Sequence, residues 1–312
     1  MFKSPWQRHK DLVSIHDFTA DEVEALFQLA ANVKARPERY RNALAGQTLA
    51  MIFEKSSTRT RVSFEVGMYQ LGGIATFLSS RDIQIGRGEP ISDTARVLSR
   101  YVSGIMARTF AHSTVTDLAK YATVPVINGL TDLLHPCQGL TDYFTVREKF
   151  GHTRGLTLAY VGDGNNMCHS LMFGGPKVGM NVKVATPEGF RPNPEIVEKA
   201  RADAKAAGTT IEVFARPEEA IKGANAVYTD VWASMGQEAE AQARIKAFAG
   251  FQVTPALMEL ADKEAVFMHC LPAHRGEEVA AEVADGRWSV IFDEAENRLH
   301  VQKAIMLLLM NR

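Results

Sequence analysis

The 312-residue chain has little cysteine: Cys137, Cys168 and Cys270 are its only three. None pairs with another at CxxC spacing, so a cysteine metal site is not indicated and a disulfide framework is unlikely on these numbers. Such usage fits a reducing cytoplasm. Long apolar runs are also missing. None approaches the roughly 20 residues that span a bilayer, and the start, MFKSPWQRHKDLV, has no apolar core of signal-peptide type. Charge of either sign is not in excess. A formal net charge of −1 argues against a nucleic-acid binder, which would carry a basic surplus. Short-period repeats and low-complexity tracts are absent. The expectation is a cytoplasmic globular protein without membrane or nucleic-acid partners, long enough for two domains.

What is present is an alternation of helix and strand signals. Thr19 and Glu22 form a capping box ahead of a helical face built from Val23, Leu26, Phe27, Ala30 and Val33. Strands are predicted at Thr48–Phe53, Ala75–Leu78, Gly104–Ala107 and Pro125–Ile127, with helices near Thr60–Leu71, Asp93–Tyr101 and Gly139–Lys149. The periodicity breaks near Phe150–Gly155 and then restarts. Further strands are predicted at Leu156–Val161, Val182–Ala185, Ile211–Phe214, Ala226–Tyr228, Val266–His269 and Val290–Phe292. Helices near Asn166–Gly174, Pro194–Ala206 and Thr254–Leu260 lie between them, and Asn297–Met310 closes the chain. Repeated βα units predict an α/β protein of two doubly wound domains, each with a mostly parallel sheet flanked by helices.

In such sheets ligands bind beyond the carboxyl ends of the strands. Phe53 is followed by the stretch SSTRTR, which holds four hydroxyls and two arginines in six residues. A helix N-terminus offers unpaired N–H groups to an anion. One hydroxyl suffices for a cap, so the surplus of Ser57, Thr58, Arg59 and Thr60 points to a phosphate or carboxylate. Arg108 at another strand end adds a second guanidinium fork. His135 lies in the polar connection after Ile127 and is a candidate donor to a carbonyl or phosphoryl oxygen. Cys137 reads as packing. The turn Gly162–Asp163–Gly164–Asn165–Asn166 resembles the start of a dinucleotide fingerprint but lacks its third glycine. That lack, and the absence of an acidic residue after Val182–Thr186, oppose a nicotinamide-dependent dehydrogenase. Asp230 and Cys270 follow later strands; Cys270 reads either as a packed thiol or, beside an Asp, as one that faces a substrate amine. The polar tract Gly236–Phe251 reads as a mobile loop or closing lid.

Taken together, these motifs closely resemble the ornithine carbamoyltransferases over nearly the whole chain. The resemblance is carried by Ser57–Thr58–Arg59–Thr60, His135–Pro136–Cys137–Gln138, Asp163–Gly164–Asn165–Asn166, Asp230 with Ser234–Met235–Gly236, and His269–Cys270–Leu271–Pro272. It implies carbamoyl transfer from carbamoyl phosphate to L-ornithine, giving L-citrulline and phosphate, with no cofactor and no metal. By the same resemblance, Ser57, Thr58, Arg59, Thr60, Gln84, Arg108, His135, Pro136, Cys137, Gln138, Cys270, Leu271 and Arg298 bind carbamoyl phosphate. Gln84 would do so in a neighbouring subunit. Asn166, Asp230, Ser234 and Met235 would contact ornithine, and Arg108, His135, Cys270 and Asp230 would be catalytic. A carbamoyl phosphate-binding domain over residues 1–150 and an ornithine-binding domain over 151–296 are implied. Interdomain helices would link them, and residues 297–312 would pack back onto the first. The assembly implied is a homotrimer or a multiple of trimers. Rival readings are a putrescine-specific relative and a non-catalytic anion-binding protein. One local departure is Gly174–Gly175–Pro176, where relatives carry small, alanine-rich residues; it predicts an early helix break.

Overall fold

Apolar residues in unbroken runs form strands buried on both faces, and here they build two parallel sheets. The structure, a computed structural model, describes residues 5–233 and 241–311. The chain forms two compact units: residues up to Leu140 together with those from Glu296 onward, and Thr141–Ala295.

The first unit contains α1 (Ala20–Ala35), β1 (Thr48–Phe53), α2 (Thr58–Gln70), β2 (Ile74–Ser79), α3 (Ile91–Tyr101), β3 (Gly104–Arg108), α4 (His112–Tyr121) and β4 (Val126–Leu130). Its sheet runs β2-β1-β3-β4, every pair parallel. The interior strands β1 and β3 are buried almost throughout, whereas the edge strand β2 exposes Ile74 and Thr76. The order reverses between β1 and β3, which is the switch point at which such sheets bind ligands. Ala107 pairs with Asn128 but Arg108 with Leu130, so Gly129 is an extra residue in β4. Bulges of this kind re-aim side chains near sites. The capping box forms as the sequence predicts: Thr19 accepts from the Glu22 N–H, and the Glu22 carboxylate accepts from the Thr19 N–H. Helix α4 has no counterpart in the sequence reading. Its β-branched and hydroxyl residues are weak helix formers, and Val115 and Leu118 alone bury fully.

The helices α5 (Pro136–Phe150) and α12 (Ile291–Met310) each continue from one unit into the other. The sequence break at Phe150–Gly155 is the end of α5, whereas the compact units divide earlier, after Leu140. The reason is that Tyr143 already belongs to the second core, where its hydroxyl donates to the Leu171 carbonyl.

The second unit contains β5 (Thr157–Val161), α6 (Asn166–Lys177), β6 (Asn181–Ala185), α7 (Pro194–Ala207), β7 (Ile211–Phe214), α8 (Pro217–Ile221), β8 (Ala226–Thr229), α9 (Ala241–Ala247), α10 (Pro255–Met258), β9 (Val266–Met268) and α11 (Ala281–Ala284). Its sheet runs β7-β6-β5-β8-β9, again all parallel, with the reversal between β5 and β8.

Three expectations are corrected here. Gly174–Gly175–Pro176 does not end the helix, since α6 runs through it to Lys177. Pro176 stands next to the last position, so it costs one hydrogen bond of the final turn. The glycines serve close packing: a Cβ on Gly174 would lie 2.4 Å from the Tyr143 ring, and one on Gly175 2.4 Å from Val182. Second, Val290–Phe292 is not a strand but the entry to α12. Ile291 is buried while Phe292 is exposed, and Asp293 and Glu294 fall in the first turn, where acidic side chains suit the helix dipole. Third, the described part of the tract Gly236–Phe251 is anchored. It forms α9, and Phe248 is fully buried among Phe190, Trp232 and Phe251. Among the described residues no helix is long and apolar enough to cross a membrane.

Candidate active site

Helix α2 begins where β1 ends, and Ser57 caps it by accepting from the Thr60 N–H at 3.2 Å. The N–H groups of Thr58 and Arg59 stay outside the helix ladder and point outward by geometry. Ser57 is half-buried, while Thr58 and Arg59 are exposed. Thr60 turns inward and is buried, and its hydroxyl accepts from Arg298 Nη2 at 3.2 Å. Arg298 Nη1 donates to Gln138 Oε1 at 2.5 Å. Residues from α2, α5 and α12 therefore meet on one buried guanidinium. His135 and Arg108 are buried in the same unit. His135 ends the connection after β4, and its carbonyl accepts the first α5 hydrogen bonds from Gln138 and Gly139. Pro136 occupies the first helical position, where no N–H is needed. Burial, then the charges of Arg298 and Arg108, hold the His135 imidazole well below its ordinary value. The ring is neutral at pH 7 and can donate one hydrogen bond without bringing charge.

Other members of the expected set stand differently. The Cys137 thiol is fully buried, donates to the Asn128 carbonyl at 3.4 Å, and is pushed by burial up to about 12. Its side chain therefore faces the core, and only its backbone is left for a ligand. Gln84 is exposed, with no side-chain hydrogen bond to the rest of the set among the described residues. Arg61 is committed to structure: its guanidinium lies 3.8 Å from the Phe77 ring centre and bonds Glu65.

In the second unit the loops after β5, β8 and β9 form a second constellation. Asp230 is buried and follows β8. Its Oδ2 accepts from Asn165 Nδ2 at 2.9 Å, and its Oδ1 accepts from the Cys270 thiol at 3.2 Å. Asn165 also caps α6, accepting from the Met167 and Cys168 N–H groups. Burial, then the Asp230 charge, push the Cys270 thiol well above its ordinary value. It is thus a protonated donor rather than a thiolate nucleophile. Asn166 is the first residue of α6 and is half-buried. His269 Nδ1 accepts from the Leu271 N–H at 2.9 Å, so Nε2 carries the ring proton toward Glu278 Oε1 at 3.1 Å. That bond holds Leu271 at φ 61°, a left-handed conformation costly for any residue with a side chain. Ser234 and Met235 lie outside the described residues.

Several participants escaped the sequence reading. Asn165 was visible as an Asn ahead of an apolar helix, the usual cap signature, but its grip on Asp230 was not. Arg244 (α9) donates to Asp163 at 2.7 Å and to the Trp232 carbonyl at 2.9 Å, tying α9 to the turn after β5. Buried Lys55 pairs with Asp132 and lies 4.6 Å from the Phe110 ring centre, linking the loops after β1, β3 and β4. Gln302 is fully buried one turn beyond Arg298. In the amide orientation that satisfies its neighbours, it accepts from Arg298 Nη2 at 2.7 Å and Nε at 3.0 Å and donates to Ser63.

Comparison with known proteins adds family evidence. Residues 10–148 match the carbamoyl-P binding domain of aspartate/ornithine carbamoyltransferases, and residues 154–309 match their Asp/Orn binding domain. The chain is 60% identical to an ornithine carbamoyltransferase of Symbiobacterium thermophilum over 96% of this chain and 98% of that one. The solved ornithine carbamoyltransferase of Pyrococcus furiosus superposes with a TM-score of 0.93 at 54% identity, covering 96% of this chain and 97% of that one. The anabolic enzyme of Campylobacter jejuni gives 0.91 at 42% identity, over 96% and 99%.

Proposed function

The chain belongs to the aspartate/ornithine carbamoyltransferase family, and we infer that it transfers the carbamoyl group of carbamoyl phosphate to the δ-amine of L-ornithine, giving L-citrulline and phosphate. The observation that carries this reading is the Asp230 carboxylate, bonded by both Cys270 and Asn165 at the switch point of the second sheet. A buried carboxylate beside a neutral thiol suits an amino-acid substrate with a second amine. The anabolic relatives support a biosynthetic direction, toward arginine.

In this proposal the first unit holds carbamoyl phosphate. The α2 N-terminus with Ser57, Thr58 and Arg59 takes the phosphate, and Gln84 reaches the site of a neighbouring copy. Thr60, Arg108, His135, Gln138 and Arg298 surround the carbamoyl group, with the Pro136–Cys137 backbone alongside. Arg108, Thr60 and neutral His135 polarise the carbonyl and stabilise the oxyanion that forms when the amine attacks. The new C–N bond forms, the bond to the phosphate oxygen breaks, and a phosphate oxygen takes the amine proton. A free terminal amine has a pKa of about 10.4 and arrives mostly protonated. The second unit favours its neutral form: Asp230 holds the α-ammonium, and Asn166, Ser234 and Met235 are the further ornithine contacts. Cys270 and Leu271 stand by the δ-amine and the carbamoyl group. We further propose a cytoplasmic homotrimer or multiple of trimers. Exposed Val62 and Tyr69 on α2 and Ile74 on the edge strand β2 support a subunit contact.

Citrulline formation with ornithine, putrescine and N-acetylornithine as competing amines tests the reading. Ornithine is expected to dominate by orders of magnitude. Preferential use of putrescine would remove the role given to Asp230.

A further inference from the structure

Two carboxyls that the transfer does not use lie behind the His269–Cys270–Leu271 segment. Asp142 (α5) and Glu294 (α12) are both fully buried and hydrogen-bond to each other. Two ionised carboxylates offer only acceptors, so this bond needs one shared proton. Glu294 also accepts from the Tyr228 hydroxyl at 3.3 Å through Oε1 and from the His269 N–H at 3.0 Å through Oε2. His269 then passes the constraint on through its ring, which accepts from the Leu271 N–H. The Cys270 thiol stands between these two anchored residues and is aimed at Asp230.

We propose that Glu294 is a positioning residue for the amine side of the reaction: sharing a proton with Asp142, it pins the His269 amide and so places the Cys270 thiol. The inference rests on the function proposed above. With Glu294 ionised, Asp142 keeps the shared proton and donates it, and both Glu294 oxygens accept; a second proton, added on Glu294, takes away acceptor capacity and loosens the pin. The groups facing Glu294 are Asp142 from α5, Tyr228 from β8 and His269 from the end of β9. Burial is the strongest influence on it, and raises Glu294 from the ordinary carboxyl range to about 7 despite the hydrogen bonds from Asp142 and the His269 backbone. The hydrogen bond from Asp142 opposes that rise because Asp142 donates to the Glu294 carboxylate, so the pin is weakened in mildly acidic solution, where both carboxyls are protonated, and tightens as pH rises past neutrality.

The test is the ratio of variant to wild-type kcat/KM for ornithine between pH 6 and 8.5, which cancels ionisation of the substrate itself. In Glu294→Gln, the uncharged amide stands in for the protonated carboxyl at every pH. The ratio is expected to fall about fivefold across this range, the worth of one net hydrogen bond, while the KM for carbamoyl phosphate stays unchanged. Asp142→Asn, whose amide donates permanently to Glu294 and favours its ionised form, also gives a ratio that falls with pH. The wild type loses one of two buried protonated-carboxyl infrared bands as pH rises past neutrality, a change absent in Glu294→Gln. A pH-independent ratio in both variants, or an equal effect on both substrates, overturns the proposal. A wild type that forms no citrulline overturns the functional reading instead.

Discussion

Replacing Arg298 by Met keeps the approximate length of the side chain and removes its charge and its fork. In the structure Arg298 is buried and donates to Gln138 Oε1 at 2.5 Å and to Thr60 Oγ1 at 3.2 Å. Two effects follow. Gln138 loses a charge-assisted bond inside a buried site, and stranding one such group costs about 1–3 kcal/mol of stability. Separately, in the proposed site the reacting carbonyl would lose a preorganised cation. One oxyanion donor is worth about 3–4 kcal/mol of barrier, or roughly 10²–10³ in kcat. His135 is also affected. Burial remains its largest influence, but one of its two facing cations is gone, so its pKa moves back up toward the ordinary value. Calorimetric unfolding measures the first effect, and steady-state citrulline formation, with each substrate varied in turn, the second. The expected pattern is a fall of about 10²–10³ in kcat, a raised KM for carbamoyl phosphate and a smaller change for ornithine. Arg298→Lys restores charge without the planar fork and recovers only part of the loss. A kcat within tenfold of wild type with an unchanged carbamoyl phosphate KM would refute the assignment of Arg298 to this site.

Two further outcomes concern stability. Gly174→Ala places a Cβ 2.4 Å from Tyr143 Cε2 and 2.8 Å from Cδ2, and overpacking of this kind costs about 1–3 kcal/mol. The urea midpoint should fall accordingly, and an unchanged midpoint would show that the ring has room to move. Glu22 gives a pH-dependent case: burial alone would raise its carboxyl, but the bonds from Arg8, then the Thr19 backbone and hydroxyl, then His9, hold it down at about 2. A depressed carboxyl stabilises the fold above its unfolded value, and that contribution is lost as pH falls toward 2. Glu22→Gln keeps an amide oxygen to accept from the Thr19 N–H but loses the charge that Arg8 meets, and should therefore lower stability at pH 7. The gap should close in acid unfolding curves, and a gap that persists undiminished at pH 2 would contradict the linkage.

The sheets were legible because parallel strands buried on both faces need continuous apolar runs, and most of these runs were bounded by turn or cap residues. Polar residues directly after them, such as Ser57–Thr60 and Asp230, could therefore be placed at the strand ends where ligands bind. Val290–Phe292 misled for the same reason: three apolar residues fit a strand or the start of a helix equally well, and Asp293–Glu294 favouring a helix N-terminus decided it. The placement of Arg298 thus came from family resemblance, not from periodicity. Gly174 and Gly175 look like helix breakers in one dimension. In three dimensions they are the gap into which Tyr143 and Val182 fit. The Asp142–Glu294 pair was invisible because its members lie far apart in the chain, each on a helix that buries several polar residues, such as Thr141 and Thr145 on α5 and Asn297 and Gln302 on α12, so no single one stood out.

The charges are sorted between the units in the way the two substrates demand. In the first unit Arg59, Arg108 and Arg298 follow or face strand ends, and the histidine among them is kept neutral by burial and by those same cations. A fourth positive charge would hold a dianion more tightly in its ground state. Catalysis depends instead on interactions that strengthen as charge moves, and a neutral imidazole donor strengthens as the carbonyl oxygen becomes anionic. In the second unit the corresponding positions carry Asp163, Asp230 and a protonated thiol. Asp163 is answered by Arg244, whereas Asp230 is met by the neutral donors Asn165 and Cys270. Neither donor brings a compensating charge, so the carboxylate stays unneutralised by them, as the proposed hold on the substrate ammonium needs. On that proposal, replacing Cys270 or Asn165 by a cation would satisfy Asp230 internally and abolish ornithine use, whereas uncharged donors leave its charge for the substrate.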